Sequence, residues 1–298
     1  MIDTHVHITP KVAIGIHHSI SLEQYAEQAS KFGINHAIVC LNPFVKGYLC
    51  PDDKSHKVFV HQTSDETYEV RCTNCGKLIY AGYDVFFEHN QALCLECNTA
   101  PFEIGALAFV VAPFKILDKL IAKYEQIDGF CGYKIHPTIC NQSISDIPIV
   151  PSEKPILFHS GVGNNENPAL EVEFAKKYKG NVIIAHCARF NKKVLNQIRE
   201  SDNIWIDTSP FSFLWNLYES KRHKLYLDES CLISNPSELM KYVIDEVGIE
   251  KIIFSSDAPF GDVTKEILFF NDLGLSKEEY SQITSKNGYT AYKFNKSL

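Results

Sequence analysis

His5 and His7 are separated by one residue in the opening stretch MIDTHVHI, where apolar and polar residues alternate. In an extended strand, residues two apart point to the same face. Two imidazoles on one face can converge on one ion. Asp3 shares their parity and reads as a supporting or structural group. Similar residues stand at the ends of later apolar runs: Lys134 and His136 in GYKIHP, His159 in PILFHS, His186 in NVIIAH, Asp207 in NIWID and Asp257 in KIIFSSD. One buried histidine is ordinarily a hydrogen-bonded core residue, since histidine is intermediate in burial. Several at the same ends of successive strands, joined by a carboxylate, suit a divalent transition metal with a position left open for water; zinc, manganese, iron and nickel all accept such a set.

A second constellation is made of cysteines. Cys72 and Cys75 form one C-x-x-C pair and Cys94 and Cys97 another, with residues 76–93 between them. This spacing predicts a structural zinc closed by four thiolates in preference to disulfides, with an iron site of rubredoxin type as a minor alternative. Cys40, Cys50, Cys131, Cys140, Cys187 and Cys231 stand singly and read as small buried hydrophobes.

The elements that must position these residues follow a repeating pattern. A strand over 1–8 is followed by a helix that Ser21 and Gln24 open as a capping box and Gly33 stops. A strand apolar on both faces follows at 34–41, as in a parallel sheet. Further strands are expected at 106–113, 132–137, 155–160, 181–186, 203–207 and 251–257, most of them followed by helices. The helix over 236–247 has Asn235 as N-cap, Pro236 at its first position and Gly248 beyond its end. Eight buried strands alternating with helices predict a (β/α)8 barrel, whose active site lies at the C-terminal ends of its strands.

The rhythm breaks over 46–101, where short alternating strands are expected at VFVHQ, YEVRC, KLIYA and DVFFEH around the cysteine pairs. This segment reads as an inserted zinc-ribbon-like module after the second strand, leaving 1–45 and 102–298, about 240 residues, for the barrel. The module is not notably basic, which suggests a scaffold or a subunit contact. The aromatic stretch 210–234 reads as a lid over the pocket, a dimer contact or a small helix packed on the barrel.

Composition narrows the function further. A net charge of −7 over 298 residues argues against nucleic-acid binding, and hydrophobic and charged contents of 45% and 22% are those of a globular protein. No apolar run approaches the about 20 residues of a membrane span, and the N-terminus has no signal-peptide pattern. A cytoplasmic protein with a small-molecule substrate is expected, with self-association left open. No G-x-G-x-x-G follows a strand, which weakens a dinucleotide-binding reading.

The stretches IDTHVHI, GYKIHP, ILFHSG, IIAHCA and IIFSSDAPFG, with the closing SKNGYTAYKF, resemble the amidohydrolase superfamily in its amidohydrolase-related branch. The resemblance spans the chain outside the insertion. It implies a (β/α)8 barrel, a divalent metal (zinc first, one or two ions) and His5, His7, His159 and Asp257 as ligands. It makes His186 a second-metal ligand or a catalytic base. Lys134 would be a carbamylated bridge in a binuclear site, or an amine that binds a substrate carboxylate in a mononuclear one. The strand-four glutamate of deoxyribonuclease-like relatives is missing, which argues against a nuclease. The activity implied is hydrolysis of an amide, lactone or ester, with Asp257 carrying protons and His186 or Lys134 stabilising the oxyanion. Non-oxidative decarboxylation on the same site is the first alternative; a zinc-ribbon interaction protein on an inactive barrel is the second. Arg189 is a candidate for a substrate anion or a surface arginine, Asp207 has no settled role, and His136 belongs to the pocket or to packing.

Overall fold

The computed structural model describes residues 1–13, 18–43, 50–53, 55–56, 58–64, 67–227 and 231–294. Eleven strands, β1 to β11 in chain order, form two sheets among these residues. The larger holds β1 (Ile2–Ile8), β2 (His36–Leu41), β6 (Glu103–Val110), β7 (Phe130–Ile135), β8 (Ile156–Phe158), β9 (Val182–Ile184), β10 (Ile204–Asp207) and β11 (Ile252–Ile253), adjacent in that order and parallel throughout. It closes on itself. The Asp257 amide donates to His5 O at 2.8 Å, the Thr4 amide to Phe254 O at 3.3 Å and the His7 amide to Ala258 O at 2.6 Å. The protein is a (β/α)8 barrel. The expected strands are those observed, with boundaries moved by a few residues; the third begins at Glu103 and ends at Val110.

Local chemistry explains the helices that precede and follow the strands. Ser21 and Gln24 form the expected capping box of Leu22–Ser30. Asn235 caps Pro236–Val247 by accepting the Glu238 amide, and Gly248 ends it. Each helix buries one stripe against the sheet: Tyr25 and Ala29 in the first, Leu239, Met240 and Val243 in the second. Phe211–Ser220 is a helix that packs Phe211, Leu214, Leu217 and Tyr218 on the barrel, so the third of the readings for 210–234 describes its first half. Residues 228–230 of that segment lie outside the described residues.

The insertion differs from its expected form. β3 (Val58–Ser64), β4 (Thr67–Cys72) and β5 (Leu78–Gly82) make a three-stranded antiparallel sheet, as VFVHQ, YEVRC and KLIYA suggest. DVFFEH is not a strand. It leads into the helix Phe87–Cys97, which belongs to the barrel wall. Asn90 is buried there; its Nδ2 donates to Phe109 O, and its Oδ1 accepts the Phe109 amide, both at 2.9 Å. This helix hides from a periodicity reading because the middle of its buried face is an asparagine satisfied by a neighbouring strand.

The cysteine assignment is corrected with it. Cys94 and Cys97 lie in that helix and are buried toward the barrel, with Cys94 Sγ 3.6 Å from Asp128 O. Residues three apart on a helix share a face, and here that face is buried against the barrel. Cys72 and Cys75 instead meet Cys50 and His56. Among the described residues, no helix is long and apolar enough to cross a membrane.

Candidate active site

Parallel closure brings the C-terminal ends of all eight barrel strands to one mouth, and the chemistry-bearing side chains collect there. His5 Nε2 lies 3.1 Å from His7 Nε2, and Asp257 Oδ1 lies 3.5 Å and 3.4 Å from these two nitrogens. Ligands bound at about 2.0–2.2 Å in tetrahedral array stand about 3.4 Å apart. The three atoms therefore have the spacing of donors to one ion.

The hydrogen bonds behind the rings agree with this. His5 Nδ1 donates to Asp207 Oδ2 at 2.8 Å, and His7 Nδ1 donates to Leu41 O at 3.0 Å. Each ring is held in the tautomer that leaves Nε2 with its lone pair. Burial pushes both imidazoles well below the usual histidine range, and nearby Lys134 adds to it, so both are neutral donors.

Asp207 thus acquires a role. Its Oδ2 orients His5, while its Oδ1 accepts the His186 amide at 2.8 Å, the Ser209 amide at 3.1 Å and Ser209 Oγ at 2.9 Å. One buried carboxylate fixes three strand ends. Asp3 fixes the fourth: its carboxylate accepts the Ser256 amide, Ser256 Oγ and Tyr25 OH, which sets the backbone beside Asp257. Asp257 itself has φ 55°, in the left-handed region that non-glycine residues enter at a cost of about 1–3 kcal/mol. Burial pushes its carboxyl well above the usual carboxylate range, against the opposing charge of Lys134.

Lys134 is fully buried, and its Nζ lies 3.0 Å from His5 Nε2. Burial lowers its pKa. His186 Nδ1 donates to Ser209 O, and its Nε2 stands 3.0 Å from His159 Nδ1. His159 stacks on His136 at 3.7 Å between ring centroids, and its Nε2 lies 3.8 Å from Glu166 Oε2. His136 is therefore part of this wall.

The turn carrying His186 is unusual. His186 to Phe190 all have φ between 50° and 59°, a left-handed turn. With close to three residues per turn, His186 and Arg189 fall on one side. Both line a cavity of about 450 Å³, together with His7, His136, His159 and Asp257, and with apolar walls from Pro43, Ile139, Phe213 and Phe260. Arg189 Nε donates to Ser160 O at 2.9 Å, which holds the guanidinium at the pocket instead of in solvent.

Three residues at the site escape a sequence reading. Cys40 Sγ lies 3.3 Å from His7 Nδ1, but on the strand it looks like any core cysteine. Glu166 sits in a loop without a motif. Glu171 is fully buried beside Lys134 and Ser160, and burial pushes its carboxyl well up. Its position just inside a helix that Asn167 caps reads as ordinary N-terminal acidity.

Neither a family model nor a curated protein sequence matches the chain. Solved structures do. The chain superposes on 2,6-dihydroxybenzoate decarboxylase from Rhizobium with a TM-score of 0.60 and 13% identity, covering 98% of each chain. It superposes on a probable 2-pyrone-4,6-dicarboxylic acid hydrolase from Acinetobacter baumannii with a TM-score of 0.56 and 15% identity, over 98% of this chain and 99% of the other. A manganese-bound 5-carboxyvanillate decarboxylase from Novosphingobium aromaticivorans matches with a TM-score of 0.57 and 11% identity, over 98% and 97%. At these identities the likeness establishes the fold: a (β/α)8 barrel of the kind these hydrolases and decarboxylases share.

Proposed function

We propose that this protein is a metal-dependent hydrolase of a small carbonyl compound, an amide, lactone or ester, that also bears an anionic group. The observation that carries the proposal is the convergence of His5 Nε2, His7 Nε2 and Asp257 Oδ1 beside a pocket that His7, Asp257 and Arg189 line. His5, His7 and Asp257 would hold one divalent ion, zinc in the first reading, with Lys134 Nζ 3.0 Å from His5 Nε2 and with His159 and His186 on the same pocket wall as further candidate ligands. Such an ion supplies Lewis acidity, making water acidic enough to lose a proton near neutral pH.

The protein's own groups account for the remaining steps. Asp257 receives a proton at its carboxylate and returns it to the leaving group. Arg189 pairs with the substrate's anionic group and orients it. The Lys134 side chain, whose pKa burial lowers, donates a hydrogen bond to the developing oxyanion. His186, with Nδ1 committed to Ser209 O, presents a lone pair at Nε2 and suits proton acceptance or metal ligation. The apolar walls exclude bulk water, which strengthens each of these charges. A cavity of this volume suits a small molecule.

Decarboxylation is the second reading. Phe213, Phe260 and Ile139 would desolvate a carboxylate held near Arg189, and two of the matched barrels are decarboxylases. The two reactions separate in H2 18O. Carboxylate-bearing lactones, esters and amides should yield 18O-labelled products if the enzyme is a hydrolase. Release of CO2 from a carboxylated aromatic, with no label in the aromatic product, would establish the second reading. Asp257→Asn should lower turnover on the order of 10²–10⁴-fold in either case. A barrel without turnover on either class, and with no metal sensitive to His5→Ala, would leave only an interaction module on an inactive barrel.

A further inference from the structure

The insertion presents a second cluster, remote in sequence logic from the barrel site. Cys50 Sγ lies 3.5 Å from Cys75 Sγ, and Cys72 Sγ lies 3.4 Å from His56 Nδ1. One donor atom from each of these residues falls within 4.8 Å of the others. We propose that Cys50, His56, Cys72 and Cys75 form a structural zinc site of three thiolates and one imidazole, distinct from the spacing-derived set of Cys72, Cys75, Cys94 and Cys97.

Three features support it. Zn–S bonds of about 2.3 Å and Zn–N bonds of about 2.0–2.1 Å place tetrahedral donors about 3.5–3.8 Å apart, close to the separations observed. A disulfide, by contrast, needs sulfurs at about 2.05 Å, far inside the 3.5 Å between Cys50 and Cys75.

The second feature is the turn. The amides of Asn74 and Cys75 both donate to Cys72 Sγ at 3.4 Å, and the Gly76 amide donates to Cys72 O at 3.0 Å. Gly76 takes φ 72°, where a side chain would be strained. A loop that aims amides at a sulfur is built for a thiolate, since a neutral thiol is a weak acceptor. The third is His56. With Nδ1 turned to Cys72, its Nε2 faces Asp53 Oδ2 at 3.6 Å, and Asp53 Oδ1 is itself fixed by the amide and hydroxyl of Ser55 at 2.8 Å each. A carboxylate behind the distal nitrogen is the usual support of a histidine that binds zinc.

Four donors close the shell, so the ion does no chemistry. It ties the segment containing Cys50 and His56 to the β4–β5 hairpin. From β4, Tyr68 reaches across to Ala112 O at 3.0 Å and Cys140 O at 2.9 Å, beyond the ends of β6 and β7. The zinc therefore fixes a cover on the rim of the barrel mouth.

The test is elemental analysis of the full chain purified with zinc. Cys50→Ser and His56→Ala should each remove one zinc per chain, whereas Cys94→Ser, Cys97→Ser and His5→Ala should leave that zinc in place. His56→Cys should retain it, and its cobalt-substituted form should gain thiolate-to-cobalt charge-transfer intensity over the wild type. Four outcomes overturn the proposal: zinc lost in Cys94→Ser but kept in Cys50→Ser, no zinc sensitive to any of these cysteines, a Cys50–Cys75 disulfide in the purified protein, or a cobalt spectrum of His56→Cys identical to the wild type.

Discussion

Asp207→Asn separates the orientation of a metal ligand from the stability of the fold. The native carboxylate accepts from His5 Nδ1 at 2.8 Å through Oδ2, while Oδ1 serves three donors at 2.8–3.1 Å. In the variant, the amide oxygen keeps those three donors and its NH2 turns toward His5. Nδ1–H then faces N–H, and the ring answers by moving its proton to Nε2. That proton occupies the lone pair aimed at the point shared with His7 and Asp257. Losing such a supporting carboxylate costs about 10–100-fold in metal affinity, or about 1.4–2.8 kcal/mol. The apoprotein should change by no more than about 1 kcal/mol, since the Oδ1 bonds persist. Chelator competition measures the affinity of the barrel ion, and urea unfolding of the apoprotein supplies the control. An unchanged affinity in a normally folded variant would refute the claim that Asp207 sets the His5 tautomer.

Other positions carry separate predictions. Burial raises the Glu266 carboxyl to about 7 from 4.5, against the hydrogen bonds of Ser212 that lower it. Its contribution is therefore full below about pH 4.5 and is lost as pH rises through about 7. Glu266→Gln should remove up to about 3 kcal/mol of the stability difference between pH 4.5 and pH 8; an unchanged slope in urea unfolding counts against this. Tyr68→Phe removes the buried hydroxyl facing the carbonyls of Ala112 and Cys140, which keep Gln142 Nε2 as a donor, and should cost about 0.5–1.5 kcal/mol in the same assay. Gly132 lies in β7, where an added Cβ would stand 2.4 Å from Pro155 O. Gly132→Ala should destabilise by about 1–3 kcal/mol, and a variant as stable as the wild type would show that the strands can part there. Arg189→Met should weaken binding of small carboxylates, read by calorimetry on the holoprotein, without altering metal content.

Much of the barrel is legible in the sequence because its signals are local. A strand buried on both faces announces itself as an apolar run, and capping residues such as Asn235 act on amides two or three positions away. The alternation around His5 and His7 places both rings on one face whatever the rest of the chain does. Polar residues at the ends of apolar runs mark the mouth for the same reason.

What joins those ends is not local. Asp207 serves His5 only because β11 closes on β1, and that closure brings residues some 200 positions apart into hydrogen-bond distance. Arg189 reaches the pocket because five successive residues adopt left-handed geometry that no composition signals. The cysteines make the point most directly. C-x-x-C fits a metal-binding turn and one face of a helix equally well, so spacing alone cannot separate the two. Packing decides: Cys94 and Cys97 are drawn into the barrel wall with the buried face of their helix, while Cys72 and Cys75, on an exposed hairpin, meet Cys50 and His56 from the opposite side of the insertion. The sequence by itself determined the barrel and the residue types at its mouth, because period and capping act over a few residues. Tertiary structure alone decided which of those residues meet, because that depends on how the chain closes.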